Sequence, residues 1–450
     1  MTARFVPPYP PRGPGPVPVW RGFFGERARN AVYGWSRQAF EVPHIRRNVL
    51  GYTVHVVSDP DAIQHVLLDN VANYVKPGII KRLLAPTIGN GLLTAEGSLW
   101  REQRKIAAGS FAPASVDALT PFFTAAARAA MDGWDATLPT DMAAVATATT
   151  MRVISDSLFA GDPRLTSAES TRHIAAAMEG ISEARWQLLL GLPIIPLSRR
   201  SWAGRRGQIF LRRTLTELVD ERIAEGRGDF LSLLVEALHE RFPAAEARSL
   251  AVDNAATFYL AGHETTANTL TWTLFLLSEQ QELQDQAAQE ARAALSLGEE
   301  DAALPDRLPL LRRVIEESMR LYPPAPRFDR EAVAADRLGP EEVRPGDLVS
   351  IWPWILHRHR KLWEDPDSFD ADRWTPEARA GRHRYQYIPF GAGPRICVGM
   401  RLAFSEALTV LAHWLSHWRF SPLPGRQVHP GGLVTLRAVG GLPLRLSSRD

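Results

Sequence analysis

The apolar positions of this chain recur mostly at helical spacing, and the longest such run lies near its middle. Residues 250–282 are predicted to form one helix that is apolar towards both ends. Its centre, Ala261-Gly262-His263-Glu264-Thr265-Thr266, holds a glycine and two β-branched threonines, which lower helix propensity. Threonine hydroxyls can also divert backbone hydrogen bonds. A helix that accepts such residues usually has a kink or a polar site there.

A second amphipathic helix is predicted near the C-terminus, directly after a glycine-rich loop. Its apolar residues fall at alternating steps of four and three, which places them on one helix face: Phe404, Leu408, Leu411, Leu415 and Trp418. The loop, Phe390-Gly391-Ala392-Gly393-Pro394-Arg395-Ile396-Cys397-Val398-Gly399, holds the only cysteine in 450 residues. Cys397 therefore lies just ahead of a helix N-terminus, where unpaired N–H groups and the helix dipole favour an anionic sulfur.

The other residues of this loop suit the same purpose. Gly391 and Gly393 are predicted to adopt positive φ, and Gly399 would let the helix lie close against a flat group. Arg395, two residues before the cysteine, could reach a carboxylate on whatever the sulfur holds. The alternative is that Cys397 is a small buried core residue, as most lone cysteines are.

The remaining pattern predicts a mainly α fold with a small β subdomain, an α+β class. Strands are predicted at 51–57, 347–355 and 433–447, the last as two strands joined at Gly440-Gly441, so the β-rich parts lie at about 49–58, 343–356 and 433–447. Helices are predicted at 61–68, 96–111 and 310–321, and over most of 120–238. Residues 74–94 contain two prolines and three glycines and are predicted to form a long loop. Residues 1–20 form a proline-rich arm, and residues 21–450 are predicted to be a single domain.

Composition limits the function classes. A net charge of +2 argues against a nucleic-acid surface, and one cysteine excludes internal disulfides, cysteine-rich zinc sites and iron–sulfur clusters. No signal peptide or anchor is expected in the proline-rich start. The most apolar stretch, 186–197, has 12 residues and two prolines, too short to span a bilayer. It could dip into a membrane surface, but a lid or core element is the preferred interpretation.

The cysteine loop matches F-G-x-G-x-R-x-C-x-G at all six fixed positions, for which chance gives odds on the order of one in a hundred thousand. It resembles the haem-ligand loop of the cytochrome P-450 monooxygenases, soluble bacterial type. The resemblance covers the chain from about residue 49 to its end and implies haem b (iron protoporphyrin IX), with Cys397 as the iron ligand. Phe390, Gly391, Gly399 and Ala261 would lie against the haem.

The polar centre of the long helix is similar to the family's oxygen-activation motif, A-G-x-[DE]-T-T. This resemblance implies that Thr265 holds dioxygen and an ordered water, while Glu264 relays protons. His263-Glu264 also begins a zinc-protease H-E-x-x-H, but Ala267 replaces the second histidine, which excludes that interpretation. The propionates would be bound by four residues implied by the resemblance: Trp100, Arg104, Arg330 and Arg395.

The sequence is also similar to the family's E-x-x-R helix, where Glu317 and Arg320 join an arginine from a later loop and brace the cysteine loop. That arginine would be Arg373, although Ala371 stands where the family usually has proline. Without the resemblance, Glu317 and Arg320 at i,i+3 could be an ordinary surface ion pair. The candidate substrate lining is apolar: Met178, Trp186, Leu260, Phe328 and Leu442.

The resemblance implies a cytoplasmic, monomeric monooxygenase that hydroxylates a lipophilic small molecule: a fatty acid, terpenoid, steroid or aromatic. Electrons would come from a separate ferredoxin and ferredoxin reductase, so NAD(P)H would act only indirectly. A basic cluster near the cysteine would dock the acidic donor by electrostatic steering: Arg101, Lys105, Arg379, Arg382, Arg384, Arg395 and Arg401.

Two alternatives remain open. A haem–thiolate peroxygenase, isomerase or dehydratase would need no reductase, but it would not require the Glu264-Thr265 relay. A non-catalytic haem sensor would explain Cys397 but not the acid and threonine at the centre of a helix. NADH consumption with a ferredoxin system discriminates among the three.

Overall fold

The computed structural model describes residues 4–15, 26, 30–49, 51–189, 195–298, 300–432 and 434–449. Of residues 168, 179, 181–186 and 188–189 it describes the backbone alone. The helices, in chain order, are α1 (Pro60–Gln64), α2 (Gly78–Ile88), α3 (Gly97–Ser110), α4 (Pro113–Asp117), α5 (Thr120–Met131), α6 (Met142–Leu158), α7 (Pro163–Thr166), α8 (Ala168–Leu189), α9 (Arg199–Glu225), α10 (Phe230–His239), α11 (Ala244–Glu279), α12 (Gln281–Leu295), α13 (Pro309–Leu321), α14 (Pro353–Leu356), α15 (Pro376–Arg379) and α16 (Met400–His417).

Within the described ranges the strands are short and form four small sheets. In chain order they are β1 (His44–Val49), β2 (Tyr52–Val57), β3 (Tyr74–Val75), β4 (Thr140–Asp141), β5 (Phe328–Ala332), β6 (Asp336–Leu338), β7 (Glu341–Val343), β8 (Leu348–Ile351), β9 (Trp418–Pro422), β10 (His429–Gly431), β11 (Arg437–Val439) and β12 (Pro443–Ser448). The largest sheet has the order β1-β2-β8-β5-β3, and a three-stranded sheet has the order β4-β12-β9. Pairs β6-β7 and β10-β11 complete the set. The predicted mainly α fold with a small β part is confirmed.

The five-stranded sheet starts from a tight hairpin. Gly51, at φ 86°, turns the chain between β1 and β2, so that His44 pairs with Val57. β2 then runs parallel to β8, and β8 runs antiparallel to β5. One face of the sheet packs over the turn that follows it, where Ile63 and Val66 are fully buried.

The chain forms two compact units. Unit 1 comprises Met1–Val75, Phe123–Thr149 and Thr265–Asp450, and unit 2 comprises Lys76–Phe122 and Thr150–Glu264. The core of unit 1 is rich in large aromatic rings, with Tyr322 stacked on Trp272 at a centroid distance of 3.9 Å. In unit 2, Phe111, Phe230 and Phe258 meet edge to face. A single domain over 21–450 stays a prediction.

The sequence mispredicts four local features. Residues 78–88, predicted as loop, form α2, because residues 79–85 contain no helix breaker and Pro86 falls only in the last turn. The strand predicted over 347–355 ends at Ile351, since Pro353 starts α14. Trp418 begins β9 and is not on the cysteine helix. The strands on either side of Gly440-Gly441 lie in different sheets.

No helix within the described ranges has the length and apolarity needed to cross a membrane.

The proline-rich arm packs along unit 1. Three of its carbonyl groups accept hydrogen bonds from the rest of unit 1: Phe5 O from Phe369 N at 2.9 Å, Pro8 O from the Tyr322 hydroxyl at 2.7 Å and Gly13 O from Arg37 N at 3.0 Å. The Arg12 guanidinium donates two hydrogen bonds to Asp367, at 2.8 and 2.6 Å. It also lies 3.8 Å from the ring centroid of Phe40. Its side chain is only 6% exposed, so Arg12 is the main attachment of the arm.

We predict that Arg12→Ala lowers the free energy of unfolding by about 3 kcal/mol, because it leaves the carboxylate of Asp367 without its bidentate partner. Arg4→Ala is the matched control, since that side chain is 50% exposed and its carboxylate distances are 3.2 and 3.6 Å. It should change stability by no more than about 0.5 kcal/mol. Urea unfolding of both variants makes the comparison, and equal losses would contradict this account of the arm.

Candidate active site

One turn of α11 is open on one side. Every residue from 250 to 278 is buried except Ala261, which is exposed, and Gly262 and Thr265, which are half-buried. Positions i, i+1 and i+4 share a helix face. The buried stretch 250–278 therefore presents one accessible patch, and that patch coincides with the polar centre predicted from the sequence.

Local packing explains the residue types of this turn. A Cβ on Gly262 would lie 2.7 Å from Ile154 Cδ1, so only glycine fits without movement. His263 Nδ1 donates to Tyr259 O at 2.7 Å, and the Thr269 hydroxyl donates to Thr265 O at 2.9 Å. These side chains thus bond carbonyl groups one turn earlier. Glu264, next to the open patch, is a buried carboxylate with 7% exposure.

The cysteine loop is held by its own backbone. Gly391 N donates to Ile388 O at 3.0 Å, and Cys397 N donates to Phe390 O at 2.9 Å. Gly391 and Gly393 have φ of 70° and 67°, which confirms the predicted positive φ at both glycines. Cys397 is exposed, and α16 begins three residues later. Its sulfur is therefore presented ahead of a helix N-terminus.

A turn of π-helix, His65–Asp69, backs this loop. A Cβ on Gly393 would overlap Leu67 O, whereas a Cβ on Gly391 would meet nothing within 4 Å. Gly393 is therefore required both for its positive φ and for the close approach of the two backbones.

A fully buried ion pair lies at the end of α13. Arg320 donates to both carboxylate oxygens of Glu317, at 2.8 and 2.7 Å, and neither side chain has any exposed surface. Arg373 Nε lies 3.4 Å from Glu317 Oε1. Trp374 Nε1 donates to Glu317 Oε2 at 2.9 Å. The remaining guanidinium hydrogens of Arg320 go to carbonyl groups of the segment 357–368.

The ion pair is linked to the cysteine loop through aromatic residues. The ring of Trp374 packs on that of Tyr387 at 4.2 Å, and Tyr387 packs on His357 at 5.0 Å. His357 Nε2 accepts from Ile388 N at 3.0 Å, which requires a neutral ring. Burial, helped by the charges of Arg320 and Arg358, lowers the pKa of His357 well below its ordinary value. His357 therefore remains an acceptor, and it fixes the start of the loop.

The predicted propionate residues occupy three elements. Trp100 and Arg104 are half-buried and share one face of α3, while Gln103 on another face is buried. Arg330 lies on β5 with 7% exposure, and its guanidinium is 5.8 Å from the Phe328 ring. Arg395 closes the short turn Gly393–Arg395 and is half-buried.

The predicted substrate lining is dispersed. Leu260 is buried on α11, and Phe328 is half-buried on β5. Met178 packs with Leu83 of α2. Leu442 is 1% exposed in the core of unit 1, where it acts as a packing residue. The side chain of Trp186 lies outside the described residues.

Sequence reasoning missed His357, Trp374 and Tyr387. His357 precedes the cysteine by forty residues, and nothing in the spacing links it to the loop. Trp374 directly follows Arg373, so the loop that supplies the arginine could have indicated the indole donor as well.

A cysteine ahead of a helix N-terminus, and a helix turn that carries an acid and a threonine, are the residue types that a haem–thiolate protein requires. The donor set fits haem, because one cysteine suffices for an iron that already has four porphyrin nitrogens.

Comparison with known proteins also points to a haem–thiolate protein. The sequence model of the family described as Cytochrome P450 matches residues 11–432. Cyclooctatin synthase of Streptomyces melanosporofaciens is 32% identical over 403 residues, which cover 87% of this chain and 85% of that protein. Cyclooctat-9-en-7-ol 5-monooxygenase of the same organism is 30% identical, covering 82% and 81%. The crystal structure of the cytochrome P450DA heme domain has a TM-score of 0.81 at 24% identity, covering 99% of this chain and 98% of that one.

The chain therefore belongs to the cytochrome P450 family, the haem-containing monooxygenases.

We predict that Gly393→Ala destabilises the protein by at least about 3 kcal/mol, because the added Cβ overlaps Leu67 O. Gly391→Ala is the control, since it has the same backbone conformation in open space and should cost only about 1 kcal/mol. Thermal unfolding of the haem-free and haem-loaded proteins measures both. A Gly391 variant as unstable as the Gly393 variant would contradict the role given to the π-turn.

Proposed function

We propose that this protein hydroxylates a lipophilic small molecule, using dioxygen and electrons from a separate ferredoxin and its reductase. The observation that carries the proposal is the open patch at Ala261, Gly262 and Thr265, with the buried carboxylate of Glu264 beside it. A non-catalytic haem protein has no use for an acid and a hydroxyl at an accessible turn within the buried stretch of its longest helix.

Haem b, when bound, supplies a thiolate-ligated iron that activates dioxygen for the insertion of one oxygen atom into substrate. Cys397 would be the iron ligand, since it is the only thiol and is exposed on a rigid loop. Trp100, Arg104, Arg330 and Arg395 would bind the two propionates as hydrogen-bond donors, three of them charged. The small side chain of Ala261 would let the flat haem group approach closely. The loop residues Phe390, Gly391 and Gly399 would allow the same.

The proton steps would fall to two neighbouring residues. The Thr265 hydroxyl would hold a water at the open patch and donate to an acceptor there. Glu264, buried but adjacent, would pass protons from solvent to that water, since a carboxyl group can both release and accept a proton. The hydrogen bond from the Thr269 hydroxyl to Thr265 O helps to hold this turn in place.

The substrate is proposed to be apolar. Of the candidate lining residues, Leu260 directly precedes the open patch on α11, whereas Phe328, Leu442 and Met178 pack against other side chains. The relative at 30% identity is named for cyclooctat-9-en-7-ol, by its name an unsaturated alcohol, which supports a hydrocarbon-rich substrate.

The basic cluster proposed for the electron donor is smaller than the sequence suggested. Arg379 bonds Glu316, and the guanidinium of Arg382 lies between two indole rings, at 4.6 Å from Trp363 and 4.7 Å from Trp374. Both are thus committed within unit 1. Of the other members of the proposed cluster, Arg101, Lys105, Arg384 and Arg401 are exposed and Arg395 is half-buried.

The first test is the difference spectrum of the reduced, haem-loaded protein with carbon monoxide. Thiolate ligation by Cys397 should give a strongly red-shifted Soret band, because the thiolate donates electron density to the iron. Cys397→His should retain haem but lose both the shifted band and hydroxylation. A Soret band typical of histidine ligation in the fresh wild-type protein would refute the assignment of Cys397.

The second test separates the proton relay from the fold. We predict that Thr265→Ala keeps haem and substrate binding but lowers product formed per electron consumed several-fold, with the balance appearing as peroxide. Thr271→Ala is the control, because its buried hydroxyl bonds only Ala267 O at 2.7 Å and faces no open patch. Product yield and oxygen consumption are measured together. An unchanged yield per electron in Thr265→Ala would remove Thr265 from the relay.

A further inference from the structure

A groove runs between α8 and α9 in unit 2. The two helices touch through glycines: a Cβ on Gly204 would lie 2.6 Å from Gly180 Cα, and one on Gly207 would overlap His173 O. Because the backbones approach so closely, long side chains of the two helices can line the sides of a shallow groove. The groove has a volume of about 550 Å³ and is lined by Arg172, His173 and Ala176 of α8 and by Arg199, Trp202, Ala203 and Arg206 of α9.

The charge of this groove has one sign. Three arginines line it, and no carboxylate does among its described residues. None of Arg172, Arg199 and Arg206 forms an ion pair with any residue that the structure describes. Further along α9, by contrast, Arg212 pairs with Asp253 and Arg213 with Glu217.

The sequence on the α9 side of the groove is poor in acids. Residues 184–216 contain seven arginines and neither aspartate nor glutamate, whereas α8 carries Glu169, Glu179 and Glu183. The side chains of Glu179 and Glu183 lie outside the described residues, and Glu169 lies 3.6 Å from His173 Nε2 and is itself 66% exposed. The described lining of the groove is therefore cationic in a nearly neutral protein.

The lining of the groove also has an apolar part. It includes the small residues Ala176 and Ala203 and the indole of Trp202, which is 52% exposed. Ile209, two turns further along α9, is 58% exposed. An exposed indole next to unpaired guanidinium groups offers apolar contact and charge at one spot. His173 is stacked on Phe210 at 4.6 Å, which fixes the side of the groove that α8 supplies.

We propose that this groove binds an anionic amphiphile, a molecule with one phosphate or carboxylate headgroup and an apolar chain. The headgroup would lie between Arg172 and Arg206, whose planar guanidinium groups suit bidentate contact with such oxygens. The chain would lie against Trp202 and the two alanines. The volume is in the range typical of small-molecule sites. Its lining shares no residue with the proposed haem site, so the groove does not rest on the proposed function.

The test is isothermal titration calorimetry of the full-length, haem-loaded protein with monomeric dodecyl phosphate, below its micelle concentration. One molecule should bind, at least tenfold more tightly than inorganic phosphate (headgroup alone) or dodecyl maltoside (the same chain with a neutral headgroup). The Soret band should stay unchanged during the titration. Equal binding of the maltoside would overturn the proposal, because charge would then play no part.

Variants locate the ligand. Arg206→Gln and Arg172→Gln should each weaken binding about tenfold, and Trp202→Ala by a similar factor. Arg213→Gln on the same helix is the charge control, since it faces Glu217, and Leu233→Ala on α10 is the control for loss of an exposed apolar side chain. Neither should change the affinity. Binding that shifts the Soret band and ignores the groove variants would place the amphiphile in the haem pocket and overturn the proposal.

A vesicle experiment decides whether the arginines bind a single amphiphile or the headgroups of a membrane surface. Sedimentation with vesicles of phosphatidylglycerol and phosphatidylcholine is compared with the calorimetry of the monomer. Binding of the monomer, with or without vesicle binding, supports the groove. Sedimentation with anionic vesicles in the absence of any monomer binding would mean that the arginines dock a membrane surface, and the groove would not be a ligand site.

Discussion

The order of unit 1 around the cysteine depends on one buried ion pair. Glu317 and Arg320 have no exposed surface, so their charges must be matched entirely by protein groups. The carboxylate receives hydrogen bonds from Arg320, Asp370 N and the Trp374 indole, and the guanidinium also donates to carbonyls that include that of His357. Most of these partners belong to a long segment with little regular structure. The pair therefore orders a region that has few backbone ladders of its own, and His357 extends that order to the cysteine loop.

Helix α11 combines close packing along its length with one turn that is accessible from outside. It is buried over most of its length, yet the proposed chemistry would require one face of it to be open. Gly262 relieves the contact with Ile154 at that turn, while the Thr269 hydroxyl bonds a carbonyl one turn earlier. The low helix propensity of this turn is offset by the apolar burial on both sides of it. Low helix propensity is thus confined to the turn where the proposed ligand would enter.

The sequence predicts those parts of the molecule in which local pattern and local constraint coincide. The positive φ of Gly391 and Gly393, the long helix and the strand at β2 follow from residue type and spacing alone. Contacts between distant segments do not. Nothing local shows that Leu67 O will press on Gly393, that His357 will accept from Ile388, or that Arg382 will be held between indoles. Such contacts arise from tertiary packing, which local residue patterns do not record.

The buried charged groups of the protein can be compared with the unpaired arginines on its surface. The guanidinium of Arg358 is fully buried, but it stacks on Trp354 at 3.9 Å and lies 3.7 Å from Asp367, and burial lowers its pKa to about 9. Burial likewise raises the pKa of Glu406 well above its ordinary value, so that this carboxyl stays neutral. The interior thus pairs, stacks or neutralises each of these groups. The groove arginines, such as Arg206, need none of this because water solvates them, and the fold would lose little if they were other polar residues. Their concentration beside an exposed indole is therefore not explained by stability, and an external anion supplies the missing partner.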